Sequence, residues 1–338
     1  MVRHLILLMS ALSVTMQMHG QEWVDNHVQT EMNIVKGLEY NLEMQSSVSK
    51  GETPLWLNSN KYGLSSLDKT NGYMRVAVSR PLHTDSARRW GIGYTADIVV
   101  PYHYTSHFVV QQAYAEIRWL HGLLTVGSKQ YAPEMKNASL SSGAQTLGIN
   151  ARPVPQIRLA LPEYWAIPGF HGWFHMKGHI AYGRMTDDNW QKDFTSKASK
   201  YTEDGLYHSK AGYLKIGNEN SFFPISLEMG LEMACLFGGT SYNVENNGSM
   251  IAHGGTGFRS YWNAFVPGGQ DVTDGDIYAN MEGDDLGSWL LRLNYDAPLF
   301  KVGIYADKFF EDHSGMFLLD YDGYGYGDEY REWKRKKF

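Results

Sequence analysis

The sequence has one cysteine, Cys235, among 338 residues. No internal disulfide can form, so the fold must be held by hydrogen bonds and packing alone. It has no basic excess. Its net charge is −6, which offers nothing to nucleic acid or to an anionic membrane surface. It contains no G-x-S-x-G, H-E-x-x-H or Walker loop. No run approaches the roughly 18 apolar residues of a membrane helix, and no stretch reads as a convincing helix. The one apolar run lies at the N-terminus. Arg3 and His4 precede Leu5–Val14, and a small residue follows at Gly20. That order is a secretory signal peptide, read here as residues 1–20, with 21–338 as the exported chain.

What the chain has instead is alternation. Pro224–Phe237 sets Ile225, Leu227, Met229, Leu231, Met233, Cys235 and Phe237 on one parity, against Ser226, Glu228, Gly230 and Glu232 on the other. Successive strand side chains point to opposite faces, so this is a strand with one apolar and one polar face. It is longer than the roughly 9–11 residues a tilted strand needs to cross a bilayer. The pattern recurs at 36–46, 72–80, 91–101, 108–119, 123–130, 157–161, 174–182, 289–295 and 301–307, with a mixed stretch at 206–216. In 108–119, Val109 shares its parity with Ala113, Ala115, Ile117 and Trp119. Trp90, Tyr102, Tyr104, Trp119, Trp173 and Trp289 sit at strand ends, where amphipathic rings belong at a membrane–water interface. A soluble sandwich would turn the polar face to water; a membrane barrel would turn it to the lumen. Export, strand length and terminal aromatics favour an all-β, transmembrane, antiparallel outer-membrane β-barrel.

Several runs carry a resemblance. Glu52–Asp68 (ETPLWLNSNKYGLSSLD), Leu147–Arg158 (LGINARPVPQIR), Leu161–Trp165 (LPEYW), Tyr207–Tyr213 (YHSKAGY), Tyr261–Gly269 (YWNAFVPGG) and Phe309–Ser314 (FFEDHS) resemble the Wzi-type capsule assembly proteins of Gram-negative outer membranes. The likeness covers about residues 35–330. It implies a barrel with a filled lumen and a lectin-like role, holding capsular polysaccharide on the cell. No catalytic residues come with it. Family chains run on past Phe338. The candidate strands count to an odd number, whereas bacterial single-chain barrels have an even one. Neither parity of Glu329–Phe338 offers a lipid face. The sequence is therefore expected to stop before the barrel closes.

Function, on this reading, sits in the polar connections. The longest runs from 238 to 286 and mixes aromatics with carboxylates. Tyr261, Trp262, Asp271, Asp274 and Asp276 are the candidate carbohydrate-binding residues, because rings stack on sugar faces and carboxylates accept from hydroxyls. The same composition would suit a loop packed down as a plug. Met185–Gly205 reads as a charged connector. Asp320–Asp328 echoes a calcium loop, but Arg331 stands where a bidentate Glu is required. His175 and His179 are too far apart along a strand to share a metal, and read as lumen residues. The expectation is a non-enzymatic, monomeric outer-membrane protein with no cofactor and no metal, whose partners are capsular or extracellular polysaccharide and outer-membrane lipid. A porin-like channel for small solutes is the alternative, and an outer-membrane hydrolase a third reading without a motif.

Overall fold

The computed structural model describes residues 10–19 (backbone only), 34–51, 53, 55–86, 89–136, 143–218, 224–242, 251–266, 285–297, 299–311 and 316. The chain forms two compact units. Met1–Ala132 with Gly148–Pro153 makes the first, and Pro133–Leu147 with Val154–Phe338 the second. The fold is mostly antiparallel β-sheet in both.

The first unit is an antiparallel meander of β1 (Ser10–His19), β2 (Glu39–Val48), β3 (Thr70–Arg80), β4 (Trp90–Tyr102), β5 (Val109–Trp119) and β6 (Gly122–Ser128). β1 lies within the stretch read as a signal peptide, and its register runs from Ser10 opposite Val48 to His19 opposite Glu39. An apolar segment of this length can extend as readily as it can coil. If residues 1–20 are removed on export, that edge of β2 loses this partner.

Burial in these strands is inverted. In β2, Glu39, Asn41, Glu43, Gln45 and Ser47 are the covered positions, while Tyr40, Leu42, Met44 and Val48 are exposed. In β4, Asp97 is fully buried, while Ile98, Val100 and Tyr102 are exposed. The polar face of the sheet is the covered one and the apolar face is the exposed one.

One expected facing is corrected. Val109 is buried with Leu64 and Val99 on the covered face, and Val110 points out. The register between β4 and β5 skips Gln111, so a bulge reverses the parity before Gln112. The extra residue turns in, and Gln111 Nε2 donates to the Tyr62 carbonyl at 3.0 Å. Between β2 and β3 the chain makes a 3₁₀ turn at Leu55–Asn58.

The second unit carries a main sheet ordered β7 (Gln156–Ala166), β8 (Phe174–Arg184), β10 (Leu206–Ile216), β11 (Ile225–Phe237), β14 (Leu286–Asp296) and β15 (Lys301–Phe310). A small sheet joins β9 (Tyr201–Glu203), β12 (Thr240–Tyr242) and β13 (Ile251–His253). The inversion holds here too. Glu228, Glu232, Ser288 and Asn294 are buried, while Met176, Ile180, Leu291 and Leu293 are exposed.

Two short helices depart from the expectation of none: α1 (Trp190–Phe194) and α2 (Phe258–Phe265). Apolar rings at 258, 261, 262 and 265 follow the 3.6-residue period, which is why α2 coils inside a stretch otherwise read as loop. The expected structureless connection 238–286 therefore contains β12, β13 and α2. Among the described residues, no helix is long and apolar enough to cross a membrane, which says nothing of strands.

Candidate functional site

The covered polar faces are wired to themselves. In the first unit, Glu43 lies directly opposite Arg75. Arg75 grips Asp97 with two hydrogen bonds of 2.9 and 2.7 Å and reaches Glu43 at 3.2 Å. Gln112 Nε2 also donates to Asp97, at 3.1 Å. Lys129 pairs with Glu116 and lies over the Tyr114 ring at 4.9 Å. Tyr104, in the β4–β5 connection, has its hydroxyl pKa pushed up to about 12 by burial and the nearby Glu43 carboxylate.

In the second unit the polar face is crossed by the chain itself. Glu134 pairs with Lys177 of β8, Lys136 with Asp307 of β15, and Thr146 with Ser288 of β14. Met135 is buried with Tyr213 and Leu290. Gly230 makes room for this strap: a Cβ there would meet the Tyr213 ring at 2.6 Å and Met135 Sδ at 3.0 Å. Lys177 also lies over Tyr164 at 4.5 Å and Tyr213 at 5.2 Å, and those hydroxyls donate to Glu228 and Glu232. These are structural networks, in which each charge has a partner close by.

His179 Nε2 stands 3.3 Å from Ser209 Oγ on this face. Both side chains are buried, at 6% and 2% exposure. Among the described residues, no cluster of His, Cys, Asp or Glu could hold a metal ion.

The open chemistry is at the loop end of the second unit. Asp188 and Asn189 take left-handed backbone (φ 51° and 62°), a conformation their short side chains tolerate, and turn the chain into α1. One helical turn then stacks Trp190 on Phe194, with ring centroids 4.9 Å apart and planes at 16°. Both rings are exposed, Phe194 to 74%.

The small sheet anchors this turn. Lys192 Nζ donates to Glu203 Oε1 at 2.7 Å, and Thr202 N–H to Gln191 Oε1 at 3.4 Å. Tyr201 and Tyr242 stack at 5.0 Å across β9 and β12. The Lys192 hydrogen bond holds the Glu203 carboxyl below the usual carboxylate range, and the same bond raises Lys192. The result is an exposed aromatic pair on a braced base, rimmed by hydrogen-bonding charges.

The predicted site residues are treated unequally. Tyr261 is half-buried, packed on Tyr182 and Phe237 at ring distances of 5.2 and 5.3 Å, so it holds α2 down. Trp262 is 56% exposed, with its ring 5.9 Å from that of Phe265. Asp271, Asp274 and Asp276 lie outside the described residues, as do Asp320–Asp328. Sequence reasoning passed over Trp190 and Phe194 because their segment read as charged; two rings four residues apart were the available signal.

In comparisons with known proteins, no family model and no curated protein matches this chain.

Proposed function

We propose that this chain is an outer-membrane β-barrel protein that holds polysaccharide at the cell surface without transforming it. The observation that carries the reading is the inverted burial: strand after strand hides its carboxylates and amides and exposes its Leu, Ile, Val and Met. Water would penalise that arrangement, whereas hydrocarbon around an outward apolar band and a polar interior favours it. Aromatic pairs at strand ends fit the same picture. Trp90 stacks on Trp119 at 5.7 Å, and Tyr295 lies 5.8 Å from Phe300.

The sugar role rests on the exposed Trp190–Phe194 pair beside Lys192 and Glu203, together with the likeness to Wzi-type proteins. Stacking faces flanked by donors and acceptors suit a polyhydroxylated ring. A Trp190→Ala/Phe194→Ala strain should fractionate normally with outer membranes yet release its surface polysaccharide into the medium. Unchanged retention would remove α1 from the binding surface.

The channel reading is disfavoured by residues 133–136 and 143–147, which lie on the polar face of the second unit through pairs to β8, β14 and β15. Planar-bilayer recordings should therefore lack a large steady conductance.

A further inference from the structure

Lys210 breaks the pattern of its own face. Its Cα is in register with Ile180 of β8 and Met233 of β11, both on the outward apolar parity. A charge there would be costly against lipid. The chain removes it by folding α2 over this part of the sheet. Lys210 Nζ donates to the Ala264 carbonyl at 3.1 Å, near the C-terminal end of α2, and to Asp285 at 2.7 Å. A cation is well placed at a helix C-terminus. Ala264 packs with Cys235 and Phe237, also outward-parity residues, while Tyr182 donates to the Tyr261 carbonyl at 2.9 Å. The helix thus lies on the outside of the sheet and not on its polar face.

Its other side is then left to the surroundings. Phe258 and Trp262, one turn apart, are exposed to 86% and 56%, and Val266 follows on the next turn. Arg259 stands exposed beside Phe258. We infer that α2 is an interfacial anchor, seated at a lipid–water interface of the membrane: Phe258, Trp262 and Val266 enter the acyl boundary and Arg259 meets the anionic headgroups. Two observations select lipid over a protein partner. The ridge stands over the apolar parity of the sheet, through the packing of Ala264 on Cys235 and Phe237, and Lys210, which the described residues place beneath α2, is paired with Asp285 within the chain. Aromatic-plus-basic composition on a helix parallel to an apolar surface is the pattern of interfacial helices.

This rests on the membrane reading above, and the test separates the two. Single cysteines are placed at Trp262 and, as a reference, at Leu291, in a Cys235→Ser background. Each full-length protein is labelled with an environment-sensitive fluorophore and refolded into phosphatidylcholine–phosphatidylglycerol vesicles carrying a nitroxide at a shallow or a deep acyl position. The label at 262 should lose most of its emission to the shallow quencher, and the label at 291 should be quenched by either. If 291 is quenched and 262 is not, α2 stands in water and the inference is overturned. If neither is quenched, the membrane placement itself fails and the anchor with it.

Discussion

Leu291→Arg separates a lipid-facing sheet from a wet one by magnitude alone. Leu291 lies mid-strand in β14, opposite Met229 of β11 and Ala306 of β15, and is 46% exposed. If its surroundings were water, an Arg would extend into solvent, and surface substitutions of that kind stay within about 0.5 kcal/mol. If its surroundings are hydrocarbon near the midplane, the cost is about 2–4 kcal/mol. The change leaves the polar face untouched, because residue 290 and not 291 packs against Met135 and Tyr213. The assay is reversible unfolding of the full chain in lipid vesicles by guanidinium, followed by the gel-mobility shift between folded and unfolded forms. A loss above about 2 kcal/mol, with the slope of the transition unchanged, is the predicted result. A loss within about 0.5 kcal/mol would refute the reasoning, since it would put water against the apolar face.

Arg75→Ala should cost about 3 kcal/mol in the same titration, because it strands the fully buried Asp97; pairing it with Asp97→Leu should recover much of the loss. Gly230→Ala should destabilise by about 1–3 kcal/mol, as the new methyl meets Tyr213 and Met135, and should increase proteolysis within 133–147. The α1 brace should depend on pH. The Glu203 carboxyl is depressed, so its contribution is present above the ordinary carboxylate pKa and is lost as pH falls through the lower folded value. The Lys192 ammonium is raised, so its contribution holds below the ordinary lysine pKa and fades only as pH rises through the higher folded one. Hydrogen exchange over 185–205, corrected for intrinsic rates, should speed up in acid in the native chain and change little in Glu203→Gln.

The strands were legible because alternation is a local property. Glu228 and Glu232 mark the polar parity of β11 without reference to anything distant, and every stretch read as alternating forms a strand. Which face is covered could only be argued from length and export until burial was seen. The failures have non-local causes. The stretch 206–216 read as mixed because His208 and Lys210 sit on the apolar parity, and what excuses them, α2 and Asp285, comes some fifty residues later or more. Val109 was misfaced because a bulge leaves no trace in parity counting. The long connection was read by composition, which cannot separate Tyr261, packed beneath α2, from its neighbour Trp262, which is exposed. The strap at 133–147 was missed because Glu134 and Lys136 gain meaning only from Lys177 and Asp307 across the sheet.

The central claim is that the exposed apolar faces meet lipid. Nitroxide labels placed singly from 288 to 295, in protein refolded into vesicles, test it most directly. The account predicts alternation: labels at 289, 291, 293 and 295 collide with oxygen far more than with a water-soluble nickel chelate, while those at 288, 290, 292 and 294 do not. Equal access of the nickel chelate to 291 and 293 would contradict it.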